Sequence, residues 1–364
     1  MSVLFSKARL GSMSLQNHLV MSPMTRSRAL HNVPNDLMAT YYRQRSTAGL
    51  IITEGTSPSP NGLGYPRIPG IFSADQVAGW KQVTRAVHEQ GGRIFCQLMH
   101  TGRITHPLNL PKAARVLAPS AIAASEEMYT DQEGMQALPV PEVMNQADID
   151  MTIEEFAEAA RNAIEAGFDG IELHGANGYL LEQFFRPTTN QREDEYGGNV
   201  ENRARFVLET VKACCAAIGK EKVGIRLSPY GFFNSMAPYD EMETDYRYLA
   251  EQLNDTGLVY IHLVDHSAMG APQVPDSIKQ SIREIFKGTL ILSGGYDASR
   301  AEQDLAAGKA DLIAVGRPFL ANPDLVMRWK NDRELNEPDF DTFYTPGEKG
   351  YTDYPSLESQ MVSH

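Results

Sequence analysis

The chain contains eight short runs of mostly apolar residues, and each run ends in a polar or glycine-rich stretch before residues with helical spacing. Nearly continuous apolar strands are buried on both faces, so the runs indicate a parallel sheet covered by helices. Eight repeats of strand and helix favour an α/β fold of the (β/α)8 TIM barrel type over an open doubly wound sheet. The runs cover residues 18–23, 49–55, 93–100, 168–175, 222–229, 258–265, 289–295 and 310–318.

Some helix boundaries are also visible between these runs. Ser73 and Thr152 each precede a glutamine or glutamate by three residues, which is the spacing of a capping box at a helix start. Gly91 and Gly167 follow where the corresponding helices are expected to end. The spacing therefore predicts helices that begin after Ser73 and after Thr152.

Three segments do not fit the repeating pattern. Residues 101–150 are too long for a simple connection after the third strand, so an inserted lid or binding loop is expected there. Residues 3–17 resemble an N-terminal hairpin that closes the bottom of the barrel, and residues 331–364 suggest a tail over its mouth. None of the three has the pattern of a separate domain, so residues 1–364 are expected to form a single domain.

Composition narrows the class of protein. The 364 residues are 42% hydrophobic and 22% charged, and the net charge of −13 argues against nucleic acid or an anionic membrane as a partner. No apolar run has the length of a signal-peptide core or a membrane span, so a cytoplasmic location is expected. The three cysteines have neither the number for a disulfide framework nor the spacing of metal ligands.

In a barrel of this type the chemistry lies where the strands end. Gly294 and Gly295 follow the seventh run. Gly316 and Arg317 follow the eighth. Glycine-rich turns at these two ends bind phosphate through backbone N–H groups, and a guanidinium beside them adds positive charge. The exits predict a phosphorylated ligand, although glycine at such a turn often has only a steric role.

Other strand exits offer polar groups to the rest of such a ligand. Thr25 has a hydroxyl group, Gln97 has an amide, and Arg226 stands in the middle of an apolar run. A buried arginine needs a partner, which is either a carboxylate such as Glu54 or Glu172 or a negatively charged ligand. The whole set matches flavin mononucleotide (FMN), whose pyrimidine edge suits an amide and whose reduced ring suits an arginine.

Eight segments together make the sequence recognisable. In the expected order, over nearly the whole chain, they resemble the Old Yellow Enzyme family, and they are most similar to its bacterial branch with pentaerythritol tetranitrate and N-ethylmaleimide reductases. This resemblance implies an FMN-containing barrel that uses NADPH or NADH to reduce activated carbon–carbon double bonds. The segments are residues 23–29, 53–73, 97–103, 174–184, 194–206, 226–229, 315–326 and 350–357.

The resemblance gives a chemical interpretation to HGANGY, residues 174–179, which leave the fourth run. His174 and Asn177 match the family's pair that anchors the substrate, and Tyr179 matches its proton donor. Two donors at a carbonyl oxygen stabilise the negative charge that develops when hydride attacks the β carbon. A phenol can then protonate the α carbon as a general acid. Taken alone, the stretch is also compatible with a polar turn in which Tyr179 opens a helix and packs.

The same matching, residue by residue, implies the other site residues. Besides His174 and Asn177, the substrate cavity is expected to contain Tyr65, Met99 and Tyr344. Related bacterial members often have tryptophan at the position of Met99, so the cavity is either wider there or refilled by a neighbour. No metal ligand is expected. The residues expected to contact FMN are Pro23, Met24, Thr25, Gly55, Gln97, Arg226, Gly294, Gly295, Gly316 and Arg317.

Two alternative functions remain open, a nitrate-ester or nitroaromatic reductase and a flavin-binding redox sensor without turnover. Residues 125–134 are acidic and lack the arginines expected near the entrance of nitrate-ester reductases. A sensor has no use for a donor pair and an acid, so residues 174–179 favour an enzyme. The expected partners are activated alkenes and NADPH or NADH, without nucleic acid or membrane, for a monomer or homodimer.

Overall fold

The computed structural model describes residues 2–357 of the chain, and its strands form one closed barrel and three small two-stranded sheets. In chain order the strands are β1 (Ala8–Leu10), β2 (Met13–Leu15), β3 (Leu19–Met21), β4 (Leu50–Ile52), β5 (Ile94–Leu98), β6 (Leu117–Ala118), β7 (Glu127–Thr130), β8 (Gly134–Ala137), β9 (Glu142–Val143), β10 (Gly170–Gly175), β11 (Val223–Leu227), β12 (Tyr260–Val264), β13 (Thr289–Ser293) and β14 (Leu312–Val315).

The barrel consists of β3, β4, β5 and β10 to β14, which pair in parallel with their neighbours, and β14 closes the circle against β3. Each of these strands lies inside one of the eight apolar runs, and nearly all of their residues are buried. The (β/α)8 TIM barrel prediction is therefore confirmed. The barrel strands are apolar because the interior buries one face and the surrounding helices bury the other.

Helices follow the strands around the barrel, and none within residues 2–357 is long and apolar enough to cross a membrane. In chain order they are α1 (Asp36–Gln44), α2 (Ala74–His88), α3 (Gln146–Glu165), α4 (Leu180–Phe185), α5 (Val200–Ile218), α6 (Met242–Thr256), α7 (Asp276–Ile285), α8 (Ala298–Ala306), α9 (Arg317–Ala321) and α10 (Leu325–Lys330). Short 3-10 turns occur between several of them.

One of the two predicted helix starts is correct. Ser73 caps α2 and forms the full capping box with Gln76. The predicted start after Thr152 is wrong, because α3 begins at Gln146 with a capping box between Asn145 and Asp148. Thr152 lies inside this helix, where its buried hydroxyl donates to the carbonyl oxygen of Asp148 (2.7 Å). Residues 146–150 of the expected loop are therefore helical.

The N-terminal hairpin closes the amino-terminal end of the barrel. Its strands β1 and β2 pair antiparallel, with Leu10 opposite Met13. Leu10 and Leu15 are buried in one apolar cluster with barrel residues such as Val20 and Phe95. Burial of these side chains confirms the predicted hairpin and leaves the opposite end of the barrel open for a ligand.

The long loop after the third barrel strand, β5, covers one side of that open end. It carries the antiparallel hairpin β7–β8 and the short parallel pair β6–β9. Met128 of β7 and Leu138 are buried in one cluster with Met99 and Tyr179, which also line the barrel mouth. The predicted inserted loop is therefore present, and it contributes apolar packing to the wall of the mouth.

The C-terminal tail lies against the same end of the barrel. The ring of Tyr351 is buried and stacks on Tyr41 of α1 at a centroid distance of 4.1 Å. Arg28 donates hydrogen bonds to the carbonyl oxygens of Thr342 (2.8 Å) and Phe343 (2.7 Å). These contacts support our proposal that residues 1–364 form a single domain, although residues 358–364 lie outside the described part of the chain.

Candidate active site

The carboxyl-terminal ends of the barrel strands surround a cavity of about 830 Å³. All sixteen residues predicted to contact cofactor or substrate line this one cavity, because parallel strands bring their carboxyl ends to the same face. Their individual roles stay predictions. The sixteen residues are Pro23, Met24, Thr25, Gly55, Tyr65, Gln97, Met99, His174, Asn177, Tyr179, Arg226, Gly294, Gly295, Gly316, Arg317 and Tyr344.

His174 lies near the end of β10, beside Arg226 of β11. Its Nδ1 accepts a hydrogen bond from the backbone N–H of Ala176 (3.3 Å). Burial, followed by the positive charge of Arg226, holds the pKa of His174 well below its usual value. The imidazole is therefore neutral at physiological pH, and its single proton is on Nε2, where it can be donated to a ligand.

Asn177 is held in an unusual backbone conformation by its neighbours. It has a left-handed φ of 59°, and Gly178 follows with a φ of 76°. Its backbone N–H donates to Ser228 Oγ (2.8 Å), and its carbonyl oxygen accepts from Asn234 Nδ2 (2.6 Å). Its side-chain Oδ1 lies 2.7 Å from Nε2 of His266. Both the backbone and the side chain of Asn177 are therefore fixed at the cavity wall.

Tyr179 directly precedes α4 and is its N-cap residue. The interpretation of residues 174–179 as only a polar turn predicts the same position. Its hydroxyl oxygen lies 2.9 Å from that of Tyr65, and its ring meets the ring of His174 at 82°. Burial raises the pKa of Tyr179. The phenol is therefore protonated at neutral pH, which is the state that a general acid requires.

Arg226 is buried in the barrel and lines the cavity. Neither carboxylate considered from the sequence accepts a hydrogen bond from it, since Glu54 accepts from Tyr42 (3.1 Å) and Glu172 accepts from other groups. The Nε of Arg226 has no hydrogen-bond partner within residues 2–357. Burial lowers the pKa of Arg226, although the negative charge of Glu172 opposes this shift. An unpartnered buried guanidinium at a cavity wall favours an anionic or strongly accepting ligand.

A buried hydrogen-bond network lies inside the barrel next to this guanidinium. Glu172 accepts from Gln97 Nε2 (2.8 Å) and from the hydroxyl of Tyr260 (3.0 Å), and it pairs with His262 Nδ1 (2.9 Å). Burial would raise the pKa of Glu172, but the contact with His262 outweighs it and lowers that pKa. The carboxylate therefore stays ionised and fixes the amide of Gln97 at the cavity wall.

The two glycine-containing exits lie on the opposite side of the cavity. Gly294 and Gly295 have φ values of 128° and 62°, which favour glycine. A Cβ atom on Gly294 would also lie only 2.1 Å from the carbonyl oxygen of Asp265. Gly316 precedes α9, whose first residue is the exposed Arg317. Backbone N–H groups and a nearby cation therefore lie on one side of the cavity, as a phosphate group requires.

Apolar side chains occupy the rim of the cavity. Met99 is only 1% exposed, and a Cβ atom on Gly55 would lie 2.5 Å from its Sδ, so Met99 packs directly against that glycine. Tyr344 is 61% exposed, and its carbonyl oxygen accepts a hydrogen bond from Arg67 (2.8 Å). Arg67 also contacts Asp131 of the inserted hairpin, so one side chain joins the loop and the tail across the mouth.

Several residues of the cavity were not predicted from the sequence. Phe233 and Asn234 come from the loop after β11, where no apolar run or motif marked them. His266 is two residues beyond β12, so its place at a strand exit was the only available signal. Further cavity residues outside the prediction are Ser22, Val264, Asp265, Ala268, Met269, Ser293, Tyr296, Asp297, Ala314, Val315, Pro318, Leu320, Phe340 and Phe343.

Comparisons with known proteins identify the family of the chain. The model of the NADH:flavin oxidoreductase / NADH oxidase family matches residues 3–336. A 12-oxophytodienoate reductase 1 from Oryza sativa subsp. japonica is 42% identical and covers 98% of this chain and 93% of its own. A probable flavin mononucleotide-dependent alkene reductase from Leishmania infantum is 40% identical over 98% of both chains.

Two solved structures resemble the fold over almost its full length. Morphinone reductase superimposes with a TM-score of 0.95 at 44% identity, covering 99% of this chain and 97% of that chain. The old yellow enzyme homologue from Zymomonas mobilis superimposes with a TM-score of 0.93 at 39% identity, covering 97% and 99%. With the family match over most of its length, the chain belongs to the Old Yellow Enzyme family of NADH:flavin oxidoreductases.

Proposed function

We propose that the protein is an FMN-dependent reductase that uses NADPH or NADH to reduce the activated C=C bond of α,β-unsaturated carbonyl compounds. The observation that carries this proposal is the placement of two neutral hydrogen-bond donors and one phenol on a single cavity wall. His174 and Asn177 provide the donors, and Tyr179 provides the phenol. This set of groups matches the charge and the proton that reduction of an enone demands.

The cavity fits FMN by its chemistry. The guanidinium of Arg226, which lines the cavity, suits the electron-rich edge of a flavin ring. The turn at Gly294 and Gly295, with Arg317 nearby, suits a phosphate group. When bound, FMN would supply the hydride chemistry, and the nicotinamide would supply the electrons. The residues that would hold FMN are Pro23, Met24, Thr25, Gly55, Gln97, Arg226, Gly294, Gly295, Gly316 and Arg317.

The donor pair would bind the carbonyl oxygen of the substrate. The Nε2–H of His174 is free because Nδ1 already accepts from the backbone, and the amide NH2 of Asn177 is free because its oxygen contacts His266. Both donors are uncharged and preorganised, so they stabilise the oxygen more strongly as negative charge develops on it. Removal of one such donor typically slows a reaction by about a hundredfold or more.

Tyr179 would then deliver a proton to the α carbon. Burial raises its pKa, so it carries the proton at neutral pH. After transfer, the phenolate oxygen would need a donor, and the hydroxyl of Tyr65 lies 2.9 Å away. Tyr65 is therefore expected to stabilise Tyr179 during the transfer as well as to line the cavity with Met99 and Tyr344.

The names of the similar proteins support the same reaction class. They include reductases of 12-oxophytodienoate and morphinone, an alkene reductase, and a morphinone reductase in complex with tetrahydroNAD. A nitrate-ester or nitroaromatic reductase remains the second candidate, since the same cofactor would serve it. The flavin-binding sensor has less support, because it gives no role to the donor pair and the acid. Closest similarity to the bacterial branch stays a prediction.

A rapid-mixing experiment tests the proposal. The purified protein should be yellow, with about one FMN per chain. Anaerobic NADPH or NADH should bleach the flavin absorbance, and cyclohexenone should then restore it. A nitrate ester and a quinone serve as comparison acceptors. Recovery with the quinone but not with cyclohexenone would contradict the enone assignment, and a protein that cannot take up flavin would contradict the cofactor.

A further inference from the structure

The amide of Asn177 is held by a histidine from another strand end. His266 Nε2 and Asn177 Oδ1 are 2.7 Å apart, although the two residues follow strands β12 and β10, which have β11 between them. His266 is 8% exposed, and its ring meets Phe233 edge-on at a centroid distance of 4.7 Å. The imidazole therefore has a fixed orientation at the cavity wall.

This contact determines which end of the Asn177 amide faces the cavity. An amide has an accepting oxygen and a donating NH2 group, and the two ends exchange places if the side chain rotates by half a turn. Because the oxygen is engaged by His266, the NH2 group points to the other side. Burial and the positive charge of Arg226 lower the pKa of His266 to about 3, so the ring is neutral at physiological pH. An amide oxygen only accepts, so this arrangement requires the single ring proton to be on Nε2.

We propose that His266 is a positioning residue, which selects the donor end of the Asn177 amide for the substrate carbonyl. This inference rests on the proposed function, because His266 would act on the substrate only through Asn177. The backbone of Asn177 is secured separately by Ser228 and Asn234. Loss of the imidazole should therefore release the side-chain amide without moving the turn that carries it.

The selectivity of the site follows from this orientation. With the NH2 group toward the cavity, Asn177 and the Nε2–H of His174 both donate, so the site binds an acceptor oxygen. With the amide reversed, one donor and one acceptor would face the same carbonyl oxygen, and the acceptor would repel it. The site formed by His174 and Asn177 should therefore bind ketones, aldehydes and carboxylic esters more tightly than alcohols of the same shape.

A set of single and double variants tests the inference. His266→Leu should lower the second-order rate constant for cyclohexenone reduction by about tenfold, mainly through weaker enone binding. His266→Gln keeps a donor and should recover most of this loss. In an Asn177→Ala background, His266→Leu should cause less than about a twofold further change, because the group that it positions is absent. Flavin content should stay at the parental level, because neither Asn177 nor His266 is among the residues expected to contact FMN.

His88→Leu is a matched control. His88 also makes one ring hydrogen bond, to Asp169 (2.9 Å), but it lies outside the cavity. The same histidine-to-leucine change there should leave enone binding and reduction at parental values. A similar loss in both variants would mean that the effect of His266→Leu is general damage, and it would overturn the inference.

The tautomer of His266 gives a readout that does not depend on activity. In protein with 15N-labelled histidine, the signals absent from His266→Leu identify the ring, and the nitrogen shifts tell which nitrogen is protonated. We expect the proton on Nε2. A proton on Nδ1 would require Asn177 to donate to His266, and it would overturn the inference whether or not enones are reduced.

The proposed function and the positioning role of His266 would be contradicted by different results. An FMN-loaded parent protein that does not reduce enones contradicts the proposed function, whereas the tautomer still tests the orientation of the amide. An active parent in which His266→Leu is equally harmful with and without Asn177 contradicts only the positioning role. Three results together support both the proposed function and the positioning role of His266. They are enone reduction by the parent protein, a smaller effect of His266→Leu in the Asn177→Ala background, and a proton on Nε2 of His266.

Discussion

The hydroxyl oxygens of Tyr65 and Tyr179 lie 2.9 Å apart, and their rings meet at 88°. Tyr179 is 8% exposed, whereas Tyr65 is half-buried, so the pair runs from the inner wall of the cavity toward its mouth. Both pKa values are raised by burial, which keeps both phenols protonated. If Tyr179 acts as the proposed acid, Tyr65 is the neighbouring phenol that can donate a hydrogen bond to the phenolate left behind.

Tyr179→Phe should separate proton transfer from binding. The variant keeps the ring and its packing but removes the acid, so reoxidation by cyclohexenone should slow by about a hundredfold or more. Reduction by NADPH and reoxidation by a quinone should be much less affected, as rapid-mixing absorbance would measure. His174→Ala should instead weaken enone binding as well as turnover. Parental enone reoxidation in Tyr179→Phe would show that water or another residue supplies the proton.

Tyr65→Phe should have a smaller effect on the same step. It removes the hydrogen-bond partner of Tyr179, so enone reoxidation should slow by about tenfold, in line with the loss of one hydrogen bond. The rate measured in H2O and D2O should show a changed solvent isotope effect. In a Tyr179→Phe background, the additional change should be small. Full additivity of the two substitutions would argue that Tyr65 acts on the substrate and not through Tyr179.

Arg226→Met should weaken the affinity for FMN by about tenfold or more, because a charged hydrogen-bond donor is lost from the cavity. Equilibrium binding of FMN to apoprotein, followed by flavin fluorescence, measures this change. Urea unfolding of the apoprotein is the control, because a stability close to that of the parent would assign the loss to FMN binding. A lower stability of the variant apoprotein would instead identify Arg226 as a structural residue.

Glu54→Gln should change how stability depends on pH. Burial raises the pKa of Glu54 from 4.5 to about 7, against the opposing hydrogen bond from Tyr42. The folded protein therefore retains a proton that the unfolded chain has released. The free energy of unfolding should fall as pH rises from 4.5 to 7, by up to about 1.4 kcal/mol per pH unit from this group.

Urea unfolding of the parent and of Glu54→Gln at pH 5 and pH 7.5 measures that contribution. The glutamine cannot titrate, so the loss of stability between the two pH values should be smaller in the variant. Equal losses in both proteins would mean that Glu54 is ionised in the folded state throughout this range.

Met99→Trp should narrow the cavity where Met99 packs against Gly55. The side chain at this position already lies against Gly55, so the larger indole has to occupy space in the cavity. The value of kcat/KM should fall more for a bulky bicyclic enone than for cyclohexenone. An equal decrease for both substrates would indicate that neighbours such as Met128 already fill the space.

The sequence alone was sufficient for the barrel and for placing the sixteen predicted site residues at one cavity. A strand buried on both faces must be apolar along its length, so eight such runs gave the positions of all eight barrel strands. Parallel strands end at the same face, so Thr25, Gln97 and Arg226 had to meet although they are far apart in the chain. This inference needs only strand order and direction, which the local pattern contains.

The tertiary structure determines the contacts between side chains from different strand ends and the protonation of buried groups, which the local sequence pattern does not contain. The contact of His266 with Asn177 and that of Glu172 with His262 join side chains from different strands. Their distances, and the burial that determines which groups stay neutral or ionised, arise only when the barrel closes. Hydrogen-bond direction and protonation therefore follow from three-dimensional packing, whereas the strands and the residue types at their ends follow from the sequence.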